Sequence, residues 1–150
     1  MKKNYDLVYR RLTDINDVDI EKLRNMSRTP EISRYISMDE QVLSYVTTSP
    51  SVYYYMVYKD NELIGAIHLE SEDKTLFMSI EVHPMYHRQG YGNAILEDVL
   101  MQRLQPDFEQ VKVSIDETNI ASRRLFEKMG FVEVSQDDEL IEYFYNGRRK

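Results

Sequence analysis

Cysteine is absent from this chain. Disulfides, thiolate metal sites and a cysteine nucleophile are therefore excluded. The absence also fits a reducing compartment, and a cytoplasmic location is expected. Positive charge is scarce: 19 Lys and Arg stand against 26 Asp and Glu, a formal net charge of -7. A general nucleic-acid binder shows a basic face, so no nucleic-acid partner is expected. An acidic surface instead steers cationic or amine-bearing ligands. Long apolar runs are missing too. The opening MKKNYDLVYRRL has lysines but no apolar stretch behind them, and it is not read as a secretory signal. The longest uncharged run, residues 41–58, carries Ser, Thr and Pro throughout, so no membrane span is expected. No Pro/Gly-rich linker and no internal repeat divides the 150 residues, which read as one domain, 1–150. With 42% hydrophobic residues the chain has material for a buried core, which argues against disorder.

Hydrophobic periodicity outlines the elements. Residues 5–12 alternate as a first strand. Residues 13–27 read as a helix with Asp14 and Asn16 as caps and Ile20, Leu23 and Met26 on one face. A calcium loop is rejected here, because Val18 occupies a ligand position and the turn glycine is missing. A second helical region, broken near Ser37, covers residues 30–47. The period then changes to two. VYYYMVYK and ELIGAIHLE flank a hairpin turn at Asp60-Asn61, and residues 75–83 add a third strand turned at Glu72-Asp73. A helix is predicted over 92–104, a strand over 109–115, and a helix over 119–130 with Asn119 as cap and Gly130 at the left-handed end. The final segment is a hairpin turning at Asp137-Asp138. This order predicts an α+β fold: a mixed, largely antiparallel sheet of about seven strands flanked by about four helices.

Glycine is also rare, with 5 in all. Two of them, Gly90 and Gly92, sit in one loop between a strand and a helix, beside His87, Arg88, Gln89, Tyr91 and Asn93. First-turn amides of a helix lack intrahelical partners, and the helix dipole adds partial positive charge there. Such a loop can cradle a phosphate, or it can be only a tight turn. The Walker loop does not fit, since its Gly-Lys-Ser/Thr ending is missing. The dinucleotide fingerprint does not fit either, since it needs a third glycine.

A second motif follows, NIASRRLFEKMGF, from Asn119 to Phe131. Together with Val82, Pro84, His87, Gly90 and Gly92, the residues Asn119, Ser122, Leu125, Glu127, Lys128, Gly130 and Phe131 resemble the GNAT superfamily of acetyl-CoA-dependent N-acetyltransferases. The resemblance implies that residues 87–93 bind the coenzyme A pyrophosphate, and that the strand ending at Val82 parts from the strand at 109–115. It further implies that the pantetheine arm lies in that gap beside Asn119, Ser122 and Phe126, with the Val82 amide polarising the thioester carbonyl. Two residues depart from the pattern. His87 stands where Gln or Arg is usual, and Phe126 where many members carry a proton-donating tyrosine. Tyr91, Tyr143 and Tyr145 are alternative donors.

The implied reaction is direct attack of a primary amine on acetyl-CoA in a ternary complex. Aliphatic amines are mostly protonated at neutral pH, so a base is required. Glu81 is the candidate base, or else a solvated surface glutamate; His83 on the same face is the second candidate. The acceptor stays open among small amines, polyamines, aminoglycosides, amino acids and protein N-termini or lysines. A non-catalytic acyl-CoA sensor is the alternative, motivated by Phe126. In VYYYMVY, Tyr53 and Tyr55 either half-bury as strand residues or line an acceptor pocket or a homodimer surface. His83 and His87 have no third ligand nearby, and no metal is expected.

Overall fold

A computed structural model describes residues 6–147. Its elements run β1 (Val8–Arg11), α1 (Ile20–Ser27), α2 (Pro30–Ser33), α3 (Glu40–Thr48), β2 (Val52–Lys59), β3 (Glu62–Glu72), β4 (Thr75–Val82), α4 (Tyr91–Leu100), β5 (Gln110–Asp116), α5 (Ile120–Lys128), β6 (Val132–Asp137) and β7 (Leu140–Asn146), with a 3-10 turn at Pro84–Tyr86. The seven strands form one sheet in the order β1-β2-β3-β4-β5-β7-β6. Every neighbouring pair is antiparallel except β4 and β5. The α+β fold with a mixed, largely antiparallel sheet is as expected. No helix among the described residues is long and apolar enough to cross a membrane.

Period-two alternation divides the buried residues between the two sheet faces. Tyr54, Met56 and Ala66 pack under α1–α3 with Leu23, Met26, Leu43 and Val46. Tyr55, Val57 and Ile67 pack on the other face with Ile95, Leu96, Val99 and Phe126 of α4 and α5. Ile67 and Leu96 are fully buried. Truncating either to alanine costs about 2–5 kcal/mol.

Several local expectations differ from the structure. Five α-helices are described instead of four, because the 30–47 region is two helices separated at Arg34–Asp39. Helix α1 begins at Ile20, and Asp14 closes a turn on the Asn16 amide instead of capping a helix. Helix α4 ends at Leu100, and Gln102 with φ 56 turns the chain away. The β3–β4 turn uses Asp73 and Lys74, both at positive φ, one residue later than expected. The last turn likewise falls one residue later, after Asp137. The part of the first strand assigned to Tyr5 lies outside the described residues.

Two features of the sheet place the site. Strand β3 carries a bulge: Val57 pairs with Gly65 and Tyr58 with Leu63, leaving Ile64 as the extra residue. A bulge flips the faces of every residue beyond it and adds twist. Strands β4 and β5 pair only at Thr75–Gln110, Leu76–Val111 and Phe77–Lys112. Beyond Phe77 they part, although β4 continues to Val82.

Candidate active site

The end of β4, where it has parted from β5, forms one wall of a groove of about 530 Å³. That size suits a small-molecule site. Its walls include Val82, His87, Arg88, Gly90, Tyr91, Gly92, Asn93, Asn119 and Ser122. Nine residues expected at the coenzyme site thus meet in one cleft, contributed by β4, the glycine loop, α4 and α5. Gln89 is outside the lining; its side chain donates to the Met85 carbonyl at 3.1 Å. Phe126 is also outside it, 3% exposed and packed edge-on against Phe131.

The glycines divide the work. Gly90 is the N-cap of α4 with φ 85, a conformation that L side chains resist. It leaves the first turn of α4 without a side-chain cap, so backbone N–H groups there are available to an anion. Gly92 has no positive φ; a Cβ there would sit 3.3 Å from Leu125 Cδ2. Its absence lets α4 and α5 approach. The Asn93 Oδ1 beside them is buried without a partner among the described residues. The uncapped helix and the open end of β4 fit a nucleotide-bearing thioester with its phosphates on the loop, and the Asn93 oxygen is left to accept from an N–H or O–H of such a ligand.

The end of β4 has a defined polarity. The His83 N–H donates to the Ile64 carbonyl at 2.7 Å, and the Glu81 carbonyl also faces β3. Gly65 permits that approach, since a Cβ on it would lie 2.4 Å from the Glu81 oxygen. Backbone direction alternates along a strand, so Val82, between them, turns its N–H and C=O toward the gap. His87 Nε2–H donates to the Val82 carbonyl at 2.6 Å. His87 is therefore bonded to the strand end, while the Val82 amide faces the gap. His83 caps the 3-10 turn, its Nδ1 accepting from the Met85 N–H at 3.1 Å.

Glu81 is 6% exposed, not a solvated surface residue. It reaches the groove and is held from the α1 side. The Tyr54 hydroxyl donates to Oε1 at 3.0 Å, and the Ser27 hydroxyl lies 3.3 Å from Oε2. Burial pushes the Glu81 carboxyl up to about 7; the bonds from Tyr54 and Ser27 oppose that rise but do not cancel it. The Tyr54 phenol is driven well above its ordinary value, first by burial and then by the Glu81 charge, so it stays a donor. A carboxyl poised near neutrality in a cleft can take a proton from an ammonium group.

Of the three tyrosines considered as donors, Tyr91 lines the groove. Tyr143 is fully buried and donates to Glu127 at 2.6 Å, and Tyr145 stacks on Phe131. Sequence reasoning missed Tyr54 and Ser27, which hold Glu81, and Tyr35 and Tyr86, which line the groove. Tyr53 instead lies under the Arg11 guanidinium at 4.0 Å, and Tyr55 donates to the Gln105 carbonyl. Among the described residues no cluster of three or more His, Asp or Glu is placed to hold a metal.

Solved structures share this fold. Spermidine N-acetyltransferase from Vibrio cholerae, solved with CoA and spermine, is 17% identical with a TM-score of 0.75, covering 97% of this chain and 98% of that one. The ribosomal-protein-S18-alanine N-acetyltransferase from Escherichia coli is 15% identical with a TM-score of 0.75, covering 93% of each. Campylobacter jejuni N-acetyltransferase PseH, solved with acetyl coenzyme A, is 16% identical with a TM-score of 0.74, covering 93% of this chain and 98% of that one. No curated protein matches the sequence. The profile of the acetyltransferase (GNAT) family matches residues 19–131, and the chain is therefore an acyltransferase belonging to that family.

Proposed function

We propose that this chain transfers the acetyl group of acetyl-CoA to a primary amine by direct attack in a ternary complex, with Glu81 as the base. The observation that carries the reading is Glu81: a buried carboxyl, pushed up to about 7, at the edge of the groove that ends in the Val82 amide. Acetyl-CoA brings the activated acyl group as a thioester, whose leaving thiol departs without strong acid help.

Each residue has a role in this reading. The first-turn amides of α4, with Arg88 and Asn93, bind the pyrophosphate. The gap between β4 and β5 receives the pantetheine arm against Asn119 and Ser122, and Asn119 also caps α5 by accepting from the Ser122 amide at 3.3 Å. The Val82 N–H donates to the acyl oxygen as negative charge grows there, a contribution of about 10²–10³ in rate for one donor. His87 holds the Val82 carbonyl and so fixes the direction of that amide. Glu81 accepts the ammonium proton and so frees the attacking nitrogen, worth about 10²–10⁴-fold, and the second proton that the nitrogen sheds as the amide forms leaves with the departing thiol. Tyr91, in the groove, is the proposed donor to the departing thiolate in place of a residue at Phe126.

The test is thiol release from acetyl-CoA across a panel of amines, with calorimetry against CoA. Turnover with an amine and binding to CoA support the reading. Thermal stabilisation by CoA without turnover on any amine would make the chain a binding module and overturn it.

A further inference from the structure

A cavity of about 380 Å³ opens on the α1 side of the site, against the segment joining α2 to α3. Arg24 and Arg28 line it, with Ser27, Ser33 and Ser37. The Arg24 side chain is 21% exposed, and its Nε is buried with no hydrogen-bond partner among the described residues. Among the described residues the rest of its guanidinium has only loose ion pairs, 4.0 Å to Glu21 and 3.7 Å to Glu40. Both acids are turned to solvent, 74% and 90% exposed. Asp39, at the cavity rim, has already given Oδ1 to the Val42 amide at 2.9 Å. Arg24 is therefore only loosely neutralised by its own chain, which leaves its guanidinium able to pair with an anion that enters the cavity.

The cavity adjoins the chemistry. Ser27 lines it and its hydroxyl lies 3.3 Å from Glu81 Oε2. Ile36 lines both this cavity and the groove at the end of β4. We propose that the cavity binds the carboxylate of the acceptor, so that the acceptor is an amino acid or a similar small amine carrying its own carboxylate. The inference rests on the acetyl-transfer reading and narrows its acceptor. Arg24 and Arg28 take the carboxylate, and Glu81 faces the amine. A planar guanidinium matches a carboxylate through paired N–H groups. A phosphate-bearing amine is the poorer fit, because a dianion meets stronger repulsion from Asp39 and Glu40 at the rim. The acidic balance of the whole chain points to cationic acceptors; in this cavity Arg24 and Arg28 offset Asp39 and Glu40, and it is the guanidiniums that give a carboxylate its place.

The experiment compares L-amino acids with the amines left by removing their carboxylates, and with O-phosphoethanolamine, at saturating acetyl-CoA. Amino acids are expected to exceed their decarboxylated partners in kcat/KM by about tenfold to a hundredfold. In Arg24→Gln that ratio falls toward one, and Arg28→Gln lowers it independently if the first variant folds poorly. A preference for the decarboxylated or phosphate-bearing amines, or a ratio unmoved in both variants, overturns the proposal while acetyl transfer stands. If no amine turns over, the same amino acids are titrated into the CoA-bound protein by NMR of the Arg24 Nε–H. A saturable shift upholds the carboxylate site while acetyl transfer fails; no shift overturns the site.

Discussion

Glu81→Gln perturbs the site with little change of shape and separates two consequences of one buried carboxyl. A rise from 4.5 to about 7, at about 1.4 kcal/mol per pH unit, is worth about 3 kcal/mol. The sign follows from which form the fold prefers. A carboxyl raised in the folded state is stabilising when protonated, so that contribution is whole below pH 4.5 and is lost as pH climbs through about 7. Wild-type stability therefore declines across this window, and the glutamine variant, which cannot ionise, lacks that decline. Above pH 7 the variant should match or exceed the wild type by up to about 3 kcal/mol, less whatever the Tyr54 and Ser27 hydrogen bonds lose with an amide. At this chain size each kcal/mol moves Tm by about 2–4 °C. Activity moves the opposite way. Wild-type kcat should rise through an apparent pKa near 7, and the variant should fall about 10²–10⁴-fold and lose that limb. Denaturant melts from pH 5 to 8.5 and thiol release over the same range read both effects. Equal turnover in the variant removes Glu81 from catalysis. An identical pH slope of stability in the two proteins refutes the buried, raised carboxyl itself.

Gly90→Val should abolish CoA binding by calorimetry at a fold cost of about 1–3 kcal/mol, because it forces a branched residue to φ 85 and obstructs the loop; retained affinity would reduce the loop to a turn. Gly65→Ala should destabilise by about 1–3 kcal/mol and lower turnover, since its Cβ would meet the Glu81 carbonyl at 2.4 Å; unchanged urea melts would contradict that packing. Tyr54→Phe removes a hydrogen bond that favours ionised Glu81, so the rising limb of the pH–rate profile should move alkaline by up to about one unit; a limb moving acidic reverses the electrostatic argument.

The meander, the glycine loop and the capped last helix were legible because each is written locally. Asp60 and Asn61 both tolerate positive φ, Asn119 caps within its own turn, and Gly90 punctuates a strand and a helix. Glu81 was legible as a strand-end acid, but its burial was not, because the covering residues lie far away in sequence on α1 and β2. Tyr54 shows why. With an unbroken ladder from the Asp60-Asn61 turn, Tyr55 would stand opposite Ala66 and share the Glu81 face. The single extra residue at Ile64 puts Met56 there and brings Tyr54 to Glu81 instead. A one-residue bulge leaves no clear mark in an apolar strand, so the pattern alone points to Tyr53 and Tyr55. The acidic stretch before α1 stays outside the helix for a similar reason: Asp17 and Asp19 are drawn off by Arg10 on β1, a pairing across the fold.

The three rungs that join β4 to β5 have a mechanical meaning. They are the waist of the sheet, with β1–β4 on one side and β5, β7 and β6 on the other. One hydrophobic core still runs beneath both sides, so the rungs part only at the open end, where an extended ligand lying in the cleft would serve as the missing strand between β4 and β5. Amide exchange near Val82 and along β5 beyond Lys112 should therefore slow when CoA is added, while the hairpins on either side keep their native rates.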